Sequence, residues 1–300
     1  MRKFFSFFAM AAVVLSMASC GDGGNTPEQP DQPEQPKPVG AIKGKFSVAP
    51  GKQVYFSKGN LQATTSNRGE SWTWSFATNQ WDFIGPNVAN NAINGNRTVS
   101  TNGTVDLFAW STKKTYYGIH NSLNRFDYQG EFVDWGNNPI SNGGNQPNLW
   151  RTMIQEEWIY LLQTREEASS KYGAAKVNDI PGYVLLPDEW TLSSGLAFTP
   201  GKTAQTTQGD WSKVASTNIY DIDQWHAMEE NGAVFLPTAG SRQDGKVGPT
   251  GTTGFYWTAT HSPTTLISDY LFYFIADYYS IDTTDPCTWG CSVRLVQDVK

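Results

Sequence analysis

Apolar residues along this chain fall into short runs separated by long stretches rich in Gly, Asn, Ser and Thr. Residues 53–56, 72–76, 184–186, 234–237, 254–258, 270–275 and 292–296 concentrate the aromatic and branched side chains that suit a pleated surface, and they predict strands. Two segments change period. From about Thr152, a fitting N-cap, to Ser170, the residues Ile154, Trp158, Leu161, Leu162 and Arg165 recur at helical spacing and form one stripe. A second helix is predicted from Ile219 to Glu230, with Ile222, Trp225 and Met228 facing inward and a stop at Asn231-Gly232. Short strands, long loops and two main helices predict an α+β fold. Residues 40–300 contain no second linker and no tandem repeat, so they predict one domain.

The start of the chain departs from that pattern. Arg2 and Lys3 precede an apolar run from Phe4 to Met17, broken only by Ser6 and Ser16, which ends at Met17-Ala18-Ser19-Cys20. A run this short does not span a bilayer comfortably, so residues 1–19 read as a signal peptide. Its end resembles the bacterial lipobox, with Met17 where Leu is more usual. That resemblance implies a diacylglyceryl group on the Cys20 thiol and a membrane anchor, each buried methylene contributing about 0.8 kcal/mol. Residues 20–39 are then the lipidated cysteine and a spacer, because Pro27, Pro30, Pro33 and Pro36 recur at every third position and favour an extended chain. The expected location is the outer membrane, at the cell surface.

Composition narrows the partners. The net charge is −6, and no basic run follows residue 3, which argues against nucleic acid. Only Cys287 and Cys291 remain besides Cys20, so this is not a disulfide-stapled scaffold. His120, His226 and His261 stand in no motif, and no Ser-His-Asp or paired-carboxylate constellation can be assembled. No cofactor is expected.

Several motifs remain. They include Val54-Tyr55-Phe56-Ser57-Lys58-Gly59-Asn60, Asp134-Trp135-Gly136-Asn137, Trp150-Arg151-Thr152, Glu157-Trp158-Ile159-Tyr160-Leu161 and Leu186-Pro187-Asp188-Glu189-Trp190. Phe235-Leu236-Pro237-Thr238-Ala239-Gly240-Ser241-Arg242, Tyr256-Trp257-Thr258-Ala259-Thr260 and Gly290-Cys291-Ser292-Val293-Arg294-Leu295-Val296 complete the set. In this order they resemble a paralogous lipoprotein domain abundant in Bacteroidales and Fibrobacter, related to the formylglycine-generating-enzyme branch of the C-type lectin fold. The resemblance implies that fold over most of residues 45–300, with Arg294 tying loops together by charge-assisted bonds. It specifies no function, since the fold hosts enzymes, lectins and diversified binders.

One stretch has an uneven composition. Lys, Glu, Gln, Met and Asn are absent from residues 247–296, where the first four alone would number about nine at the rate seen elsewhere. Tyr, Asp, Thr, Ser, Ile, Phe, His, Leu, Pro and Cys fill it instead. All of these are written by codons ending in a pyrimidine. The pattern resembles the variable region of retroelement-diversified proteins, which commonly end in a C-type lectin domain. That implies a candidate variable region over 257–296, with changing positions from His261 to Thr288 and a fixed frame of Tyr256, Trp257, Trp289, Gly290 and 293–296. A terminal β-rich segment that disfavours Lys and Glu is the competing explanation.

The side chains of this stretch suit binding. Tyrosines offer rigid amphipathic area at low entropic cost. The candidate contact residues are His261, Asp269, Tyr273, Asp277, Tyr278, Tyr279, Asp282 and Asp285, with Tyr270 beside them. Alternation predicts Phe272 and Phe274 inward and Tyr273 and Ile275 outward. The expected function is a membrane-anchored binder of a protein or glycan at the cell surface.

Other readings compete. Formylglycine-generating enzymes place a copper-binding cysteine pair in this region, but Cys287 and Cys291 are one residue closer together and lack that motif's His and Arg surroundings. A disulfide or two buried thiols accounts for them better than an oxidase. Gln146-Pro147-Asn148 echoes a calcium-lectin tripeptide without its downstream partner, and Asp277, Asp282 and Asp285 lack the spacing of an EF-hand loop. A structural role in the envelope or a fimbria is the remaining class.

Overall fold

The computed structural model describes residues 37–86, 102–120, 122, 124–203, 208–243, 245–262 and 268–300. The expected signal peptide, Cys20 and the spacer up to residue 36 lie outside the described residues, as do 263–267 of the candidate variable region.

The chain enters through a hairpin, β1 (Phe46–Ala49) and β2 (Lys52–Phe56), followed by β3 (Leu61–Thr65), β4 (Thr73–Phe76) and β5 (Gly103–Val105). The two-residue β6 (Arg151–Thr152) leads into helix α1 (Gln155–Ile159), and β7 (Tyr172–Val177), β8 (Ile180–Leu185) and β9 (Ile219–Tyr220) precede helix α2 (Ile222–Glu230). Then come β10 (Val234–Pro237), β11 (Ser241–Gln243), β12 (Lys246–Gly248) and β13 (Gly254–His261). β14 (Ser268–Ile275), β15 (Tyr278–Pro286) and β16 (Leu295–Asp298) end the chain. The architecture is α+β, with short strands in several small sheets and two α-helices among the described residues. The sheets run β1-β2-β16-β6, β4-β3-β5, β10-β8-β7-β9, β11-β12 and β13-β14-β15. β16 sits between β2 and β6, with Val296 opposite Phe56 on one side and Arg151 on the other, so the last strand is locked to the first hairpin.

The first helix is shorter than its apolar stripe suggests. Thr152 belongs to β6; the chain turns at Ile154, whose N–H donates to Glu157 Oε2 at 3.1 Å and whose side chain is 41% exposed. After Ile159 the ladder widens to a π-helical turn closed by Arg165 N–H to Tyr160 O at 2.8 Å. The buried Arg165 side chain then folds back, donating to the carbonyl oxygens of Leu161 at 2.8 Å and Leu186 at 2.9 Å and pairing with Asp188 at 3.1 Å. A residue that fits the stripe by spacing is therefore the stopper of the helix.

The second helix starts later than Ile219, because Ile219–Tyr220 pairs in parallel with β7. Asp221 caps it reciprocally with Gln224, at 2.8 and 3.0 Å, and it ends before Asn231-Gly232. Trp225 and Met228 are fully buried, but Ile222 is 42% exposed and does not face inward. The strand expected over 292–296 is displaced to Leu295–Asp298, since Ser292 bonds β13 through Phe255 and Trp257 before the terminal sheet begins.

Burial is organised in three clusters. One gathers Trp74, Trp110, Trp135, Trp257, Leu271, Cys287 and Cys291; a second gathers Phe46, Phe56, Trp158, Tyr183, Phe272 and Phe274. The third lies under α2 around Trp225 and Phe235. The β13–β15 sheet separates the first two clusters. Ile275 is 6% exposed and not outward; it belongs to neither cluster and lies against the backbone at Gly209.

Candidate ligand-binding face

β14 is the centre of this sheet, with antiparallel neighbours on both sides. Period two sets Phe255, Trp257, Asp269, Leu271, Tyr273, Tyr278 and Asp285 on one face, and Tyr256, Tyr270, Phe272, Phe274 and Tyr279 on the other. The register slips between the pairs Leu271–Thr283 and Tyr273–Ser280. At this bulge β15 sets two residues against one, so Ile281 enters the core while its neighbour Asp282 reaches solvent.

The expected contact residues do not all reach the surface. Asp269 is fully buried; its Oδ1 lies 2.5 Å from His261 Nδ1 and accepts the Ser262 N–H at 3.3 Å. Burial raises its carboxyl pKa, with the Cys287 thiol and the His261 ring acting against that rise. Asp277 is 8% exposed, and its Oδ1 accepts the Gly209 N–H at 2.7 Å. These two carboxylates hold loops together, and their burial removes them from a contact surface. Tyr279 is half-buried, edge-on to Tyr172 at 5.4 Å, with the Lys202 ammonium 5.4 Å from its ring centre. Burial pushes its phenol up to about 12.

Six of the eight, Tyr279 among them, are exposed or half-buried. His261 is exposed at the end of β13, and Asp282 is exposed while Gln155 of α1 donates to its Oδ1 at 3.0 Å. Tyr278 is 46% exposed at the opposite end of the sheet from His261. Tyr273 is half-buried between Phe255 at 5.3 Å and Tyr278 at 6.2 Å, and Trp289 extends this aromatic row to Phe255 at 6.2 Å. Asp285 is half-buried, and burial pushes its carboxyl up to about 6. Burial first, then the Asp285 carboxylate, the Tyr278 phenol and the Asp277 carboxylate, raise the Tyr273 pKa; in the register Asp285 lies opposite Asp269 at the His261 end, and Tyr278 lies opposite Ile275 at the other end.

Sequence reasoning passed over Ser280, Thr283 and Thr284, which are half-buried between the aromatic and acidic positions, and Gln155, which fixes Asp282. The alternation along β15 is the signal that would have found Ser280, but the bulge beyond it sets Thr283 and Thr284 out of that period. Gln155 left none, because the contact spans 127 residues.

The cysteines face different neighbours. Burial raises both thiol pKa values; beyond that, Cys287 meets Asp269 whereas Cys291 meets Asp285 and Arg242. Both are free and buried, which disfavours the thiolate form. Among the described residues no group of three or more His, Cys, Asp and Glu is arranged to hold a metal ion. Arg294 is buried and donates to Asn60 Oδ1 at 3.3 Å and Gln80 Oε1 at 2.5 Å, tying loops as expected of a scaffold residue. A cavity of about 500 Å³ opens elsewhere, between residues 37–43 and α2. Lys37, Lys43, Lys58, His226, Glu229 and Glu230 line it, and none of the aromatic row reaches it. Compared with family models, curated proteins and solved structures, the chain matches none of them.

Proposed function

We propose that the protein is an exported lipoprotein, anchored through Cys20 at the outer membrane, that displays a ligand-binding face on a C-type lectin-like scaffold. Its ligand is a protein or glycan at the cell surface, and it is not an enzyme. The observation that carries this reading is the placement of Tyr278 and Asp282 on a sheet whose two faces are both pinned by core. A fixed backbone presenting exposed aromatic and acidic side chains loses little entropy on binding.

The burial of the motif residues supports the scaffold half of the reading. Trp158, Leu236, Trp257 and Arg294 are each within 2% of complete burial, so the shared motifs serve packing and leave the accessible positions free to differ. The compositional gap over 247–296 contains all six exposed or half-buried candidates. A diversified surface accounts for both. A reverse transcriptase gene and a near-copy of the 3′ end in the neighbouring DNA would mark that diversification.

Binding of the full-length chain to a glycan array and to intact cells tests the face itself. Tyr278→Ala and Asp282→Ala should each lose binding by about tenfold or more, with melting unchanged. Binding that both variants retain in full would remove the proposal and favour a structural envelope role.

A further inference from the structure

We infer that the cavity between residues 37–43 and the end of α2 binds a short zwitterionic peptide, its carboxylate on the lysines of one wall and its amino terminus on the glutamates of the other. This site is separate from the β13–β15 face and stands independently of it.

Charge in the cavity is sorted by element. Lys37 and Lys43 come from the entering segment and Lys58 from the turn after β2, whereas Glu229 and Glu230 are the last two residues of α2. All five line the same space of about 500 Å³. Among the described residues, none of the three ammonium groups pairs with a carboxylate and neither glutamate pairs with a cation. Opposite charges that share a cavity without meeting leave a gap between them. An anion entering it would suit the lysines and be repelled by the glutamates, and a cation would do the reverse. A molecule with one charge of each sign suits both walls.

Glu229 shows what the gap costs. It is half-buried, and burial raises its carboxyl pKa although Arg294, His226, the Gln80 amide and Lys37 all act against the rise. A partly desolvated carboxylate gains most from a cation that also donates hydrogen bonds, which an amino terminus does. Lys58 is half-buried on the other wall, so its ammonium gains in the same way from a carboxylate.

The walls are fixed before any ligand arrives. The Lys58 N–H donates to Gly40 O at 2.9 Å and the Ile42 N–H to Phe56 O at 2.8 Å, which ties the lysine-bearing segments together. Gly232, at φ +95°, follows α2 so close to the entering segment that a Cβ there would meet Gly44 Cα at 2.6 Å. This backbone contact joins the two walls, so binding orders little of the protein.

Size and lining select a peptide. Small-molecule sites commonly span about 300–1,000 Å³, and this cavity falls within that range. A single α-amino acid carries both charges on one carbon and fits the space loosely. A dipeptide sets them apart on either side of a planar amide. Thr78 and Asn79 line the cavity and offer that amide hydrogen-bonding groups, while the buried Ala41 and Ile42 give a short apolar side chain its contact.

The test is isothermal titration calorimetry of the full-length chain with alanyl-alanine. Its N-acetylated form, its C-terminal amide and free alanine are the comparators. The free dipeptide should bind, and each comparator should bind about tenfold more weakly, a loss of roughly 1.4 kcal/mol. Glu229→Gln should weaken the free dipeptide by about tenfold and leave the N-acetylated form unchanged. Lys58→Met should weaken the free dipeptide and leave the amide unchanged. A variant that merely misfolds would weaken both forms, so the pairing of each residue with one end is read directly. Tyr278→Ala should leave every titration as in wild type, which keeps this site distinguishable from the sheet face. No binding of alanyl-alanine, or capped forms that bind as tightly as the free one, would overturn the inference. Glycerophosphoethanolamine carries the same two charges on a lipid headgroup, and tighter binding of it than of alanyl-alanine would overturn the assignment to a peptide.

Discussion

The indole N–H of Trp257 donates to the carbonyl oxygen of Phe108 at 2.7 Å, deep in the core. The same ring meets Trp110 edge-on at 5.5 Å. Trp257→Ala therefore removes a buried ring and leaves a carbonyl without its donor. It should cost about 3–5 kcal/mol. Tyr278→Ala, on the same sheet, should change stability by no more than about 0.5 kcal/mol. Urea melts of both variants check the contrast, and a Tyr278 variant as unstable as the Trp257 one would make the strand's exposed end part of the core.

Asp277 and Asp282 look alike in sequence and differ in what they touch. Asp277 Oδ1 accepts the Gly209 N–H at 2.7 Å, whereas Asp282 is exposed and its side chain accepts from Gln155 at 3.0 Å. Removing a buried acceptor leaves its donor unsatisfied, at about 1–3 kcal/mol. Asp277→Ala should therefore lower Tm clearly and speed amide exchange at Gly209. Asp282→Ala should do neither, and equal Tm losses would show that the two carboxylates are not distinguished by burial.

That pair shows where sequence reasoning reaches and where it stops. The strands around 53–56, 234–237 and 270–275, the end of α2 and the inward Phe272 and Phe274 were legible, because apolar periodicity reports burial directly. Ile275 was not, since it is covered at Gly209, a position 66 residues earlier that local periodicity does not report. The length of α1 was hidden by Arg165, whose role depends on Asp188 and Leu186. Asp269 and Asp277 carry no local sign of burial. Their donors include a thiol on the following segment and a backbone N–H 68 residues away.

Cys20 carries the anchoring proposal and has its own test. Growth with an alkynyl fatty acid should label the wild-type protein and not Cys20→Ser, and the variant should leave the membrane fraction. The methylene groups of the two acyl chains, at about 0.8 kcal/mol each, leave no measurable soluble pool for the lipidated form. Equal labelling of both proteins would remove the lipoprotein reading while leaving the binding face intact.

Asp285 ties stability to pH. Burial holds its carboxyl at about 6 in the folded chain, above the ordinary value of about 3.9. The folded state therefore binds this proton more tightly than the unfolded one. The stabilisation this provides is complete below about pH 4 and is lost as pH rises to about 6, where the folded group ionises without a partner. Asp285→Asn keeps the shape and removes the titration. Because the group is partly solvated, its effect is on the order of 1 kcal/mol, or a few degrees in Tm. The measurement is the Tm difference between Asp285→Asn and wild type at intervals from pH 4 to 7. It should grow in favour of the variant through this window and then level off. Asp269 lies opposite Asp285 across the ladder and is present in both proteins, so the difference between them reports Asp285. A difference that stays flat from pH 4 to 7 would mean that Asp285 is solvated and that its burial carries no cost.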